Sequence, residues 1–464
     1  MNDTIAELRR ILGANAVLTG SEIGARHNAD YSAENPQEPL AVARPRDVEE
    51  VSTVLRLCSA AAQPIVVQGG LTGLSGGATP LAGEIALSLE RLTGITALDT
   101  TGMSITALAG TPLQAIQDAA DEAGCLFPLD FGARGSCHIG GAIATNAGGN
   151  QVIRFGMARN LVLGLEVVLA DGSIVESMNT MLKNNAGYDL KQLFIGTEGT
   201  LGVITRCVLR LFPRLSSRAT ALCALRSFAE VVSLLREAQR KLAGSLSAFE
   251  VMWAPYFDYV TDHIDSLESP FEQRYPIYAL IQLEGNDERK DTERLESLLE
   301  AAFESSLVED AIVAQSEAQR TKLWAIRDGI GEITKMLSPY ASLDVSMSID
   351  RMPAFLAELE RDLEIAFENV VILVFGHVGD GNLHVFITTG EHADLETIHE
   401  LSYRITGKYS GSISAEHGIG VLKAGHLHHS RNAAELMLMR RLKQTLDPQS
   451  ILNRGRVLPF APEA

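Results

Sequence analysis

A 464-residue chain with 58 acidic against 39 basic side chains, and no basic run, is ill suited to nucleic acid or an anionic membrane surface. Its longest continuous apolar run, Val370 to Phe375, is far too short to cross a bilayer, while a hydrophobic content of 46% leaves ample material for buried cores. Length allows about three domains, or two larger ones. The cysteines (Cys58, Cys125, Cys137, Cys207 and Cys223) are odd in number and form no Cys-x-x-Cys pair. That argues against an iron–sulfur cluster and for reduced thiols in a cytoplasm. The acidic-then-basic amphipathic start, Met1 to Arg10, does not read as a signal peptide.

Residues 1–35 read as a short helix and an irregular lead-in. Asp47 is placed to cap a helix, with Glu50 three residues on, and Val48, Val51, Leu55 and Cys58 share one face of it. Short strands and glycine turns follow: 64–67, 85–89, 104–108, 162–169 and 201–211. After Pro213 the texture changes, with helices expected at 227–242, 288–303, 316–335, 352–367 and 433–446. Strands are expected at 246–252, 276–284, 308–314 and 342–349. There is no internal repeat and no low-complexity linker. The coarse reading is two α+β domains, the first rich in glycine.

Two glycine patches stand out in the first half. Gln68-Gly-Gly-Leu-Thr-Gly-Leu-Ser-Gly-Gly77 follows a strand, and its backbone N–H groups can approach an anion without Cβ obstruction. It is no Walker loop, since no Gly-Lys-Ser/Thr follows, and Pro80 and Gly83 interrupt the helix that a Rossmann fingerprint needs. A plain tight turn explains the loop equally well. The second patch, Leu129 to Gly149, carries Gly140-Gly141 and Gly148-Gly149 around Thr145 and Asn146. It is too glycine-rich for a good helix and too long for a turn, which suits backbone wrapped around a large flat ligand.

The second half holds Gly376-His-Val-Gly-Asp-Gly-Asn-Leu-His384, with Ala415-Glu-His-Gly418 downstream. Asp380-Gly381 suits the centre of a two-residue hairpin turn. Pairing outward from it sets His377 opposite His384, with Cβ atoms about 4.5–5.5 Å apart. Two imidazoles so placed can hold one ion at roughly 2.0–2.2 Å, with Glu416 as a carboxylate third ligand. His417 is then left beside the ion as a proton-transfer candidate. The bland alternative is a pair of hydrogen-bonded strand histidines. A competing cluster, His426-Leu-His-His429, sits in a polar tract that reads as solvated surface.

Taken in order, several segments resemble the vanillyl-alcohol-oxidase superfamily of FAD-linked oxidoreductases, nearest its D-2-hydroxyglutarate and D-lactate dehydrogenase branch. They are Val66 to Gly73, Gly135 to Gly141, Ala144 to Gly149, Leu163 to Gly172, Gly187 to Gly202, Leu323 to Arg327, the hairpin, Ser414 to Gly420 and Ile451 to Asn453. The resemblance runs from about residue 38 to the end. Single segments are weak signals; their ordered combination is specific.

The resemblance implies an α+β, two-domain FAD-binding fold with an antiparallel-sheet cap. The lead-in would span 1–35, the FAD domain 36–215 and the cap with its metal site 216–420. Residues 421–464 would return to the FAD domain. The diphosphate would rest on Gly69, Gly70, Leu71, Thr72 and Gly73. Ser136, Gly140, Gly141, Asn146, Gly149, Gly202, Ile204 and Asn453 would line the rest of FAD. Leu71 stands where covalent branches carry a histidine, so the flavin is expected to be non-covalent. His377, His384 and Glu416 match the ligands of a divalent metal, zinc by custom. His417 matches the catalytic base at the substrate, Asn382 a substrate hydrogen-bond donor and Arg327 a ligand of the substrate carboxylate. The bland reading of Arg327 is an ion pair on a helix surface.

The implied activity is oxidation of a D-2-hydroxy acid to the 2-keto acid. Electrons would leave to an electron-transfer flavoprotein or a quinone-linked partner, and a homodimer is compatible with the family. Two positions depart from the hydroxyglutarate branch: Gly331 and Ser342 stand where it has a threonine and a lysine. A second substrate carboxylate thereby loses a cationic partner, unless Lys335 or Arg351 substitutes. After Asn453 the usual Pro-Gly-Lys reads Arg454-Gly455-Arg456. The rival readings are an FAD-carrying electron-transfer subunit of a multi-subunit glycolate oxidase, and a non-enzymatic flavin or metal binder.

Overall fold

The computed structural model describes residues 3–460. It divides into a first unit, made of residues up to 149, 155–214 and 416 onward, and a second made of 150–154 and 215–415. Among the described residues no helix is long and apolar enough to cross a membrane.

Beside a two-stranded ribbon of Cys125–Leu126 and Phe212–Pro213, two larger sheets build the first unit. The smaller has the order Val17–Leu18, Val42–Ala43, Ile85–Ser88, Ile65–Gln68, with its last three strands parallel. The larger is antiparallel, in the order Ile95–Asp99, Ser104–Leu108, Val203–Arg210, Val162–Val168, Ile174–Ser177. Helix Val48–Ala60 begins as its sequence requires: the Asp47 carboxylate accepts the Glu50 N–H at 2.8 Å. Val51, Leu55 and Cys58 are fully buried on its inner face and share one core with Ile65, Ile85, Ile105 and Leu165. All five cysteines are buried and free.

The end of the chain closes onto this unit. Leu452 bridges Ile65 in parallel, and the Asn453 N–H donates to the Ile65 carbonyl at 2.9 Å. Arg456, one of the departures from the family pattern, is fully buried against the Glu84 carboxylate, with guanidinium contacts of 2.5 and 2.8 Å. Such a bidentate pair offsets the desolvation of both charges.

The second unit is one antiparallel seven-stranded sheet. Its order is Asp310–Val313, Ser217–Leu225, Ile277–Gly285, Leu246–Trp253, Val371–Gly376, Asn382–Thr388, Ala341–Ser346. Side chains alternate between its faces. Leu222, Met252, Leu280 and Phe375 on one face pack with Tyr256, Phe257, Leu323 and Ile333 from helices Ala254–His263, Glu317–Asp328 and Ile330–Leu337. Helices Phe228–Leu242 and Glu288–Glu304 pack on strands of the same sheet, and Met352–Ala366 packs beside Leu395–Lys408.

Candidate active site

In the first unit the two glycine patches meet. A Cβ added to Gly70 would lie 2.1 Å from the Ser136 carbonyl oxygen, and one on Gly69 would touch the Gly141 Cα at 3.8 Å. Bare backbone is therefore obligatory at Gly70, and residues 69 and 70 lie against segment 136–141. Buried Gln68 fixes the loop's entry: its amide donates to the carbonyls of His27 at 2.9 Å and Ala78 at 3.0 Å. Leu71 holds φ +60°, and Leu71 and Thr72 are half-buried. Gly73 lies against the Asp30 carboxylate and Ser136 is exposed. A backbone cradle of this kind fits a diphosphate.

The remaining residues expected at the cofactor do other visible work. Gly140, Gly149 and Gly202 leave room for Ala109, the Asp130 carbonyl and Val167, and Ile204 is buried within its strand. The Asn146 side chain accepts the Arg159 N–H at 2.9 Å. Asn453 accepts the Val67 N–H at 2.8 Å and donates to the Glu198 carbonyl at 2.6 Å, so it braces the strand that carries the glycine loop.

Glu416 and His417 open the last segment of this unit, and the turn beyond them is clamped. The Ser75 hydroxyl contacts the carbonyls of His417 at 3.2 Å and Gly418 at 3.0 Å. The buried Glu198 carboxylate accepts the N–H groups of Ile419 at 2.7 Å and Gly420 at 2.8 Å. Burial pushes the Glu198 carboxyl upward, and those two N–H groups oppose it.

In the second unit the sheet gathers the other residues. His377 and His384 face each other edge-on, with ring centroids 5.3 Å apart, as the hairpin reading expects. The register behind that contact differs. His384 pairs with Phe375, and His377 lies beyond the ladder, before a 3-10 turn over Val378–Asp380. Asp380-Gly381 is thus not a two-residue hairpin turn. Gly381 takes φ +87°, where an added Cβ would lie 2.7 Å from the Met347 carbonyl.

Arg327, in the last turn of helix Glu317–Asp328, is buried rather than displayed on the helix surface. Its Nε donates to Glu250 Oε2 at 2.9 Å, its Nη1 to Asp328 Oδ1 at 3.0 Å, and its Nη2 lies 3.0 Å from His377 Nε2. Glu250 Oε1 takes His377 Nδ1 at 2.6 Å. Burial alone would raise the Glu250 carboxyl, but the charges of His377 and Arg327 outweigh it and hold the group down at about 2. On the edge strand Ala341–Ser346, Asp344 accepts Asn382 Nδ2 at 2.8 Å and the Ala415 N–H at 3.1 Å. The Asn382 amide thus spends one N–H on Asp344, and its buried Oδ1 lacks a hydrogen-bond partner.

Three of these residues escaped the sequence reading as site members: Glu198, Glu250 and Asp344. The available signal was a single charged residue in an otherwise uncharged strand, Glu250 within Leu246–Trp253 and Asp344 within Ala341–Ser346. Buried acids are rare unless paired.

A glycine cradle, a C-terminal segment threaded back to it and an antiparallel sheet bearing paired histidines are the features expected of an FAD-linked oxidoreductase of the vanillyl-alcohol-oxidase type. Family profiles agree: residues 39–177 match the FAD binding domain, and residues 214–457 match the C-terminal domain of FAD linked oxidases. The chain is 40% identical to D-2-hydroxyglutarate dehydrogenase of Xanthomonas citri pv. viticola, over 93% of this chain and 92% of that one. It is 36% identical to the mitochondrial enzyme of that name from Arabidopsis thaliana (98% of this chain, 82% of that one). For the Bos taurus enzyme the values are 38%, 98% and 84%. The chain belongs to the D-2-hydroxyglutarate dehydrogenase family of FAD-linked oxidases. Relatives matched over most of their length carry a dehydrogenase name, which favours an enzyme over an FAD-carrying subunit. The solved structure of p-cresol methylhydroxylase with substrate bound shares the fold at 16% identity, covering 100% of this chain and 98% of that one, with a TM-score of 0.79. Alkyldihydroxyacetonephosphate synthase does so at 18% identity, over 99% and 86%, with a TM-score of 0.74.

Proposed function

We propose that this protein oxidises a D-2-hydroxy acid, with D-2-hydroxyglutarate as its substrate, to the corresponding 2-keto acid. The observation that carries the reading is the cluster around Arg327: a buried guanidinium at a helix end against His377, whose ring faces that of His384. His377, His384 and Glu416 would offer two imidazoles and one carboxylate to a divalent metal, a donor chemistry that suits zinc. Gly69 to Gly73 and Ser136 would hold the FAD diphosphate, with Asn453 bracing the loop. When bound, FAD supplies the two-electron acceptor and the metal a Lewis acid for the hydroxyl oxygen.

The chain's own residues do the remainder. Arg327 offers a planar N–H edge to the α-carboxylate and so selects which face of Cα is presented. Asn382, steadied by Asp344, hydrogen-bonds the substrate. His417 accepts the hydroxyl proton at a ring nitrogen, a task an imidazole performs near neutral pH. Leu71 offers no imidazole to the flavin, so the cofactor is held non-covalently. Denaturation with acid is expected to release all the yellow colour into the supernatant; colour that stays with the precipitate refutes this.

A second reading rests on the wall beside His384. Phe375 and Phe386 stack with centroids 6.0 Å apart, Tyr340 lies 5.5 Å from Phe386, and Ser342 faces Phe386 where the branch has a lysine. Arg351 donates to the Tyr409 carbonyl, and Lys335 is exposed. Such a wall suits a short or apolar side chain, as in D-lactate. Anaerobic mixing with D-2-hydroxyglutarate, D-lactate and their L-enantiomers decides. Bleaching of the flavin by D-2-hydroxyglutarate alone is the expected result, and bleaching by D-lactate alone transfers the assignment to the second reading. A flavin that none of the four acids bleaches overturns both.

A further inference from the structure

Glu250 joins two residues that come from distant parts of the chain. It sits in the strand Leu246–Trp253, is 1% exposed, and is the one charged residue of that strand. One carboxylate oxygen takes the His377 Nδ1 proton at 2.6 Å, and the other takes the Arg327 Nε proton at 2.9 Å. His377 follows the strand Val371–Gly376, and Arg327 ends a helix. A lone carboxylate so deep would be costly to desolvate. Here both oxygens are used by charge-assisted bonds, which are short and directional.

Each bond has a chemical consequence. A ring nitrogen that donates to a carboxylate leaves the other nitrogen with the free lone pair, and such outer partners aim metal-binding histidines. With Nδ1 committed to Glu250, the nitrogen left for a cation is Nε2, which lies 3.0 Å from Arg327 Nη2, so a bound cation would take the place of that contact. A guanidinium whose Nε is committed can show a carboxylate only its Nη edge. Both constraints come from one side chain, so a change in it loosens one or both.

We propose that Glu250 is a positioning residue for the substrate site, fixing the ring nitrogen that His377 offers a divalent cation and the guanidinium edge that Arg327 offers a carboxylate. The inference rests on the functional reading above, and its test separates the two. Glu250→Gln keeps one acceptor oxygen where two are needed, so one of the two bonds is lost. The full-length holoenzyme and the variant are compared for zinc affinity, by competition with a chromophoric chelator, and for KM and kcat with the D-2-hydroxy acid that bleaches the wild-type flavin. Oxidised-flavin absorbance checks that FAD remains bound.

Zinc is expected to bind about 10–100-fold more weakly in E250Q, or KM to rise by about tenfold or more, with FAD content unchanged. A merely structural ion pair would lower the melting temperature and leave both constants near wild type, and that result overturns the proposal. If wild-type protein takes up no zinc, the metal assignment falls and the KM of E250Q alone decides on Glu250. If E250Q is recovered without FAD, Glu250→Asp replaces it, with charge kept and reach shortened by one methylene. The same rise in E250D supports the proposal; unchanged constants refute it.

Discussion

Replacing His417 by alanine is expected to slow anaerobic flavin reduction by the substrate by about 10²–10⁴-fold, the range spanned by general-base catalysis. The effect should fall on kcat, because the side chain's task belongs to the transition state rather than to ground-state binding. The turn that carries His417 is held through its backbone. Four hydrogen bonds that clamp the surrounding turn engage backbone: Ser75 binds the carbonyls of residues 417 and 418, and Glu198 binds the N–H groups of 419 and 420. Truncating the imidazole leaves these bonds in place, so FAD content and melting temperature should stay near wild type. Flavin reduction at an undiminished rate would remove His417 from the mechanism. A parallel loss of FAD would instead show that the side chain supports the fold.

Much of the layout was legible because it is local. The Asp47 cap, the strand at 104–108 and the helix at 433–446 follow from side-chain period and capping chemistry, and the structure has each of them. What was lost depends on contacts far away in sequence. The single helix expected over 316–335 is broken at Gly329, where an added Cβ would lie 2.7 Å from Val260 on helix Ala254–His263. That helix was itself missed, as were Leu113–Glu122 and Leu395–Lys408. The pairing of His377 with His384 was read correctly as a contact and wrongly as a register. An Asp-Gly dipeptide fits a two-residue turn as well as the longer one found. What separates them is tertiary: Gly379 lies where a Cβ would press on Ile153, and Gly381 where it would press on the Met347 carbonyl. Glu250 shows the same limit for the site. Its partners lie 77 and 127 residues away, beyond the reach of any sequence spacing.

Arg327 is the second position where a large effect is expected, and two substitutions separate its roles. In Arg327→Ala, Glu250 is left buried without its guanidinium partner. Breaking a buried pair from one side costs about 3–5 kcal/mol, so the second unit should melt well below wild type. Arg327→Lys keeps the charge and most of the volume, and stability should largely survive. It cannot keep the geometry. The guanidinium serves Glu250 from Nε, Asp328 from Nη1 and the His377 ring from Nη2, whereas an ammonium is a single point of donation. Drawn toward Glu250, the lysine nitrogen would be withdrawn from the substrate. One charged hydrogen bond to a carboxylate is worth about 1.5–3 kcal/mol, or roughly 10–100-fold in affinity. R327K should therefore raise KM by about that factor while kcat changes less, because hydroxyl deprotonation falls to His417. Steady-state kinetics on the D-acid that bleaches the wild-type flavin measure this split. A normal KM in a stable R327K variant would mean that the substrate carboxylate is held elsewhere, and that Arg327 is buried to neutralise Glu250.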